Sequence, residues 1–272
     1  HGVGDIKALC LSFGEGFATA LSAMIFEPDA TYIDTYWYQG SQGGFSMDVE
    51  RGDVNGNPNY TDPNPGWYSE MSVQQMVYDI CDEGLDGSAE NHDNISLGLG
   101  PILDVLTGPQ IHSPARTSIF SFIHGLKSLF PNFSDDIDLI TSGKGIEDIN
   151  DVWGTGNGVY ESLLDGVEKT ISISGGKMAN DRASNKHLKF QAVSEQTKFT
   201  FNGSNYYIVD IIYKSETKFN SANTGYFNSP NVDYEETIST VPGEYYSIRI
   251  HTSKDAVSNQ SDVNINIKGE GI

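Results

Sequence analysis

Glu15 has the strongest claim to chemistry in this chain of 272 residues. It sits between Gly14 and Gly16, inside a stretch where Ile6, Cys10, Phe13, Phe17, Ala20 and Met24 recur at helical spacing. At about 100° per residue Glu15 lies nearly opposite that stripe, yet its own neighbours, Ala8, Leu11, Ala18 and Ser22, are again apolar or small. A helix apolar on nearly all sides reads as buried. A carboxylate there must be paired, protonated or bound to a metal; a glutamate that faces solvent or an arginine is the structural alternative. The two flanking glycines each cost about 1 kcal/mol relative to alanine, which close approach by another helix or a ligand would explain.

Other chemistry is thinly signalled. There is no HExxH, GxSxG, Walker loop, CxxC or strand-to-helix GxGxxG. The histidines stand at 1, 92, 112, 124, 187 and 251, and no two have the spacing of a helical zinc pair. Asp53-Val-Asn-Gly-Asn57 alternates oxygen side chains as a calcium loop does, but Asn64 stands where the bidentate acid belongs, so an Asn/Gly turn is the simpler reading and calcium the alternative. Cys10 and Cys81 are either two buried thiols or a bridge, which would stabilise by roughly 4 kcal/mol and imply an oxidising compartment.

The elements that must hold these groups divide the chain in two. The first part reads as helices: 5–26 with Asp5 as N-cap and Pro28 as stop, 69–82, 115–130, a short acidic one from Ser134 to Ile140, and a turn or two over 146–152, with a polar, aromatic functional loop over 35–66. After Gly166 the period changes to short β-branched or aromatic segments at 169–174, 187–193, 198–201, 206–213, 236–240, 245–251 and 263–267, the pattern of a β-sandwich. The expected fold class is multidomain, α plus all-β, with domains 1–165 and 166–272. Charge agrees: residues 1–165 carry 5 basic and 25 acidic side chains, residues 166–272 carry 11 and 12. The net charge of −21 excludes a phosphate-binding face and hence a nucleic-acid partner. It reads as solubility in a salty or extracellular medium, or as a surface that steers substrate. No apolar run nears the roughly 18 residues of a transmembrane segment.

The strings His1-Gly-Val-Gly-Asp5, Phe13-Gly-Glu-Gly-Phe-Ala-Thr-Ala-Leu-Ser22 and Gly66-Trp-Tyr-Ser-Glu-Met-Ser-Val73 resemble the part of secreted bacterial gluzincin-type zinc metallopeptidases that follows their HExxH helix. The resemblance spans about residues 1–130. It implies a zincin-like C-terminal helical subdomain in which Glu15 is the third zinc ligand, beside two histidines of HExxH whose glutamate activates water. Tyr68 is the candidate for oxyanion stabilisation, with His112 behind it. The HExxH helix is absent from these residues, so the expectation is the C-terminal portion of a larger peptidase, inactive alone, whose partners are a missing N-terminal segment and a protein or peptide substrate. The start at His1 without a methionine fits that expectation. Asn185-Lys-His-Leu-Lys-Phe-Gln-Ala192 and Val241-Pro-Gly-Glu-Tyr-Tyr-Ser-Ile-Arg-Ile250 resemble the pre-peptidase C-terminal module, a β-sandwich appended to secreted proteases. Location is then secreted or cell surface. The competing reading is a non-catalytic extracellular binding or adhesion protein.

Overall fold

The computed structural model describes residues 5–26, 35–40, 43–50, 62–82, 95–174, 181–203, 207–221, 232–252 and 261–270. Two compact units emerge. One comprises residues 1–110 and 117–152, the other 111–116 and 153–272. The division by fold class therefore stands as helical unit plus β unit, but the break falls after Val152 and not after Asp165. The reason is that Tyr160–Ser162 is already a sheet strand and Leu163 already lies in the sandwich core.

In the helical unit, α1 (Leu9–Phe26) starts later than the periodicity suggests. Asp5 does not cap it. Residues 5–8 are held extended by a hydrogen bond from the Lys7 amide to the Tyr68 carbonyl at 2.8 Å, Asp5 pairs with the Lys7 ammonium at 2.7 Å, and Ala8 accepts the first helical bonds. The expected loop over 35–66 contains a hairpin, β1 (Thr35–Gly40) paired antiparallel with β2 (Gly43–Asp48). Next, α2 (Glu70–Cys81) is capped by the Ser69 side chain and buries nearly its whole length. An unanticipated α3 (Leu99–Thr107) precedes α4 (Ile119–Leu129), which a Ser118/Ser121 capping box starts four residues later than expected. After α5 (Ser134–Gly143), residues 146–150 form no helix, with Ile146 and Ile149 buried. The Lys127 ammonium ties these parts together, bonding both Asp138 oxygens at 2.7 Å and the Ile149 carbonyl at 3.2 Å. The core is a cluster in which Phe13, Phe17 and Phe122 meet at centroid distances of 5.5 to 6.0 Å.

Both cysteines are thiols, and the bridge does not form. Cys10 lies two residues before Ser12, which bonds the Trp67 carbonyl ahead of α2 at 2.8 Å, whereas Cys81 ends α2. A helix of that length separates its ends by roughly 16 Å, well beyond disulfide reach. Asp53–Asn57 and Pro28 lie outside the described residues.

The β unit is a sandwich. One sheet has the order β3 (Tyr160–Ser162), β5 (Asn185–Gln191), β10 (Tyr245–Thr252), β7 (Tyr207–Tyr213), β8 (Glu216–Asn220); the other has β4 (Lys169–Ile173), β11 (Ser261–Glu270), β6 (Gln196–Gly203), β9 (Val232–Ser239). All pairs are antiparallel except β3 with β5. Leu188, Phe190, Tyr246, Ile248 and Ile250 of the first sheet share one core with Phe199, Phe201, Val263, Ile265 and Ile267 of the second. Because strand side chains alternate, His187, Arg249 and Asp210 project from the opposite face of the first sheet. Among the described residues no helix is long and apolar enough to cross a membrane.

Candidate functional site

Two of the residues picked from sequence, Glu15 and Tyr68, lie on segments that meet at the start of α2. Asp62 accepts hydrogen bonds from the hydroxyls of Ser69 and Ser72, each at 2.6 Å, and the Gly66 amide donates to Ser72 Oγ at 3.0 Å. This knot fixes the Gly66–Glu70 turn. Gly66 adopts φ +148°, and a Cβ there would lie 2.8 Å from Tyr68 Cζ, so the Tyr68 ring occupies space that only glycine leaves open. Trp67 meets Tyr68 and Phe120 edge-on and carries the turn into the core.

Across from this turn α1 brings Gly16 against the Glu70 carbonyl. A Cβ on Gly16 would stand 2.6 Å from that oxygen and 2.8 Å from Val73 Cβ. Close approach thus accounts for one of the two glycines flanking Glu15. Gly14 has nothing within 4 Å of its Cβ position.

Glu15 itself is exposed, which corrects the expectation of a buried carboxylate. The helix spends Leu9, Phe13, Ala20, Ala23 and Met24 on the core and turns Gly14, Glu15, Ala18 and Ile25 outward. Small and apolar residues on the outward face looked like burial in the sequence, but no described element covers them.

The carboxylate with the perturbed affinity is Glu70, which sequence reading passed over. Burial pushes its carboxyl up to about 7, the Lys7 ammonium pulls it down, and the Glu15 carboxylate adds to the rise. Glu15 and Glu70 therefore feel one another across the helix crossing, the first exposed, the second poised to hold a proton near neutrality. The signal for Glu70 was its position as the first residue of a capped helix packed on another.

His112 does not join this group. It is exposed on the 111–116 segment, which belongs to the β unit. As for metal, Glu15 offers one accessible oxygen donor, and among the described residues no group of three or more His, Cys, Asp or Glu could hold an ion.

No family model and no curated protein matches the chain. Among solved structures it is similar to the pre-peptidase C-terminal domain of a collagenase from Bacillus anthracis, at 9% identity over 40% of this chain and 92% of that one, TM-score 0.28. It is also similar to PliG, a periplasmic inhibitor of g-type lysozyme from Salmonella Typhimurium (15% identity, 40% and 97% covered, TM-score 0.25). A third is the CBM36-1 domain of a multidomain xylanase from the hindgut metagenome of Trinervitermes trinervoides (17%, 40% and 93%, TM-score 0.26). At these TM-scores the likeness carries no argument about function, and the sandwich rests on its own strand pairing.

Proposed function

We propose that this chain contributes a metal-ligating glutamate, Glu15, and a β-sandwich accessory module to a secreted zinc-metallopeptidase-like protein that acts on protein or peptide substrates. The supporting observation is the outward face of α1. It presents a single carboxylate among Gly14, Ala18 and an Ile25 that is 59% exposed, a surface small enough for a second helix to pack against and apolar enough to gain from it. The two histidines and the general base would come from an HExxH helix of the same protein outside these 272 residues. Zinc, when bound, supplies a Lewis acid that polarises a carbonyl and lowers the pKa of water. This chain's own part is to hold Glu15 at a fixed height, through Gly16 packed on Glu70, and to seat the Tyr68 ring beside the same turn. By itself the chain has neither a histidine pair nor a general base, so it should show no chelator-sensitive cleavage of casein.

The test is zinc content. Full-length protein should carry about one zinc per chain, and Glu15→Gln, which keeps shape and removes the anion, should lower that content and the activity together while the circular dichroism is unchanged. Equal zinc and equal turnover in the two proteins would return Glu15 to an ordinary surface carboxylate.

A further inference from the structure

The outer face of the five-stranded sheet is polar yet buried. Register places Tyr160, His187, Arg249, Asp210 and Asn220 in one row across all five strands. What covers the row is the Ile111–Arg116 segment. The Ser215 hydroxyl, in the turn between β7 and β8, donates to the Ile111 carbonyl at 3.1 Å; at the other edge the Arg116 amide donates to the Tyr160 hydroxyl at 3.1 Å, and Arg116 Nη2 reaches the Asp210 carbonyl at 3.1 Å. The segment turns and bends along its length, and these bonds tie it to the β7–β8 turn at one edge of the sheet and to β3 at the other. The segment is a strap laid edge to edge.

Beneath it His187 is 6% exposed and neither ring nitrogen has a hydrogen-bond partner. The charged and titratable groups that act on it all disfavour a proton there: Arg116 from the strap, Arg249 and His251 from β10, and Lys186 from its own strand, with the Tyr160 ring of β3 at 5.4 Å. The carboxylate of the row, Asp210 on β7, is engaged by Asn220 at 2.6 Å and stands 3.7 Å from Arg249 and 3.8 Å from His251.

We infer that the 111–116 strap is an acid-released clasp, lifted from the sheet when His187 takes a proton among these cations. With the strap closed, a charged imidazole has no carboxylate of its own and little access to solvent. With the strap open, it regains solvent and its ordinary proton affinity. Protons therefore bind the open form more tightly, and lowering the pH shifts the population towards it. Burial and the flanking guanidinium groups hold His187 well below the usual histidine range in the closed form, as this coupling requires.

Hydrogen exchange on the intact chain tests this. Corrected for intrinsic rates, protection of 111–116 should fall at least tenfold between pH 7 and pH 4.5 while strand 263–267 stays protected. His187→Gln, which cannot charge, should cut that fall to the smaller part that His251, also lowered by Arg116, contributes. Strap protection that falls equally in wild type and His187→Gln would overturn the clasp, as would wild-type protection that survives to pH 4.5. Should His187→Gln fail to fold, imidazole titration of the wild type by NMR decides. His187 should titrate together with strap opening; a midpoint near 6.5 with the strap still protected would refute the coupling.

Discussion

Alanine at position 16 and alanine at position 14 should move stability in opposite directions, although both replace a glycine in the same helix two residues apart. At Gly14 the new methyl meets nothing within 4 Å, so the change is one of backbone freedom alone, a gain of about 0.5 to 1 kcal/mol. At Gly16 the methyl would stand 2.6 Å from the Glu70 carbonyl oxygen, 2.8 Å from Val73 Cβ and 2.9 Å from Val73 Cγ1. Two of those atoms are fixed to the α2 backbone and no rotamer removes them. Relief requires α1 to retreat by roughly 1 Å, and overpacking of this kind costs about 1 to 3 kcal/mol, more than the propensity gain offsets. The retreat also loosens α1 against α2, helices in which Ala20 and Met76 are fully buried. The expected outcome is a loss of about 1 to 2 kcal/mol for Gly16→Ala against a gain of up to about 1 kcal/mol for Gly14→Ala. Urea unfolding followed at 222 nm, where the helical unit dominates the signal, reads both. Equal shifts for the two variants, or a Gly16→Ala at least as stable as wild type, would refute the close crossing and with it the argument that Gly16 sets the position of Glu15.

Lys127→Met should cost the helical unit about 3 kcal/mol, because it strips the partly buried Asp138 of its two-oxygen ion pair, again measured by urea unfolding. A fragment from Trp153 should give a better dispersed amide spectrum than one from Gly166, which lacks β3, Leu163 and the Trp153 ring packed on Tyr160; equal spectra would place the boundary back at 166. His251→Gln should flatten the pH dependence of the sandwich. Burial and Arg249 bring the histidine down to about 4 from 6.5, so its contribution is intact above pH 6.5 and about 3 kcal/mol is lost as the pH falls towards 4.

Periodicity made the long elements legible. The apolar spacing of 70–81 and 119–129 and the alternation after 185 come from side chains that face a core directly. What escaped was set by backbone bonds and local breakers. Helix Leu99–Thr107 carries Gly100 and Pro101 in its first turn, where neither disrupts a helical bond but both obscure the pattern. The three-residue β3 is too short to alternate and exists because β5 offers it a parallel edge. Only the end of the strap, 115–116, falls in the helix that the periodicity predicts over 115–130, since Ala115 looks like a start until Ser118 proves the better cap. At the candidate site the glycine before Phe17 was legible as a close approach, but the exposure of Glu15 was not: a helical wheel reports which residues share a face, and only tertiary packing says which face is covered.

Glu70 shows how the same chain carries two opposed responses to pH. Its carboxyl titrates at about 7 in the folded unit against an ordinary 4.5, so the native state holds its proton longer than the unfolded one. Its contribution is therefore complete below pH 4.5 and drains away as the pH rises through 7. The sandwich, through His251, loses stability in the other direction over nearly the same range. Glu70→Gln keeps the side chain neutral at every pH, so the helical unit should become more stable than wild type above pH 7 and little changed near pH 4.5. Thermal unfolding followed at 222 nm at pH 4.5, 6 and 8 would show it as a wild-type midpoint that falls with rising pH and a variant midpoint that falls less. A variant no more stable than wild type at pH 8 would mean that Glu70 sits in water, and that the crossing of α1 over α2 is looser than Gly16 and Val73 describe.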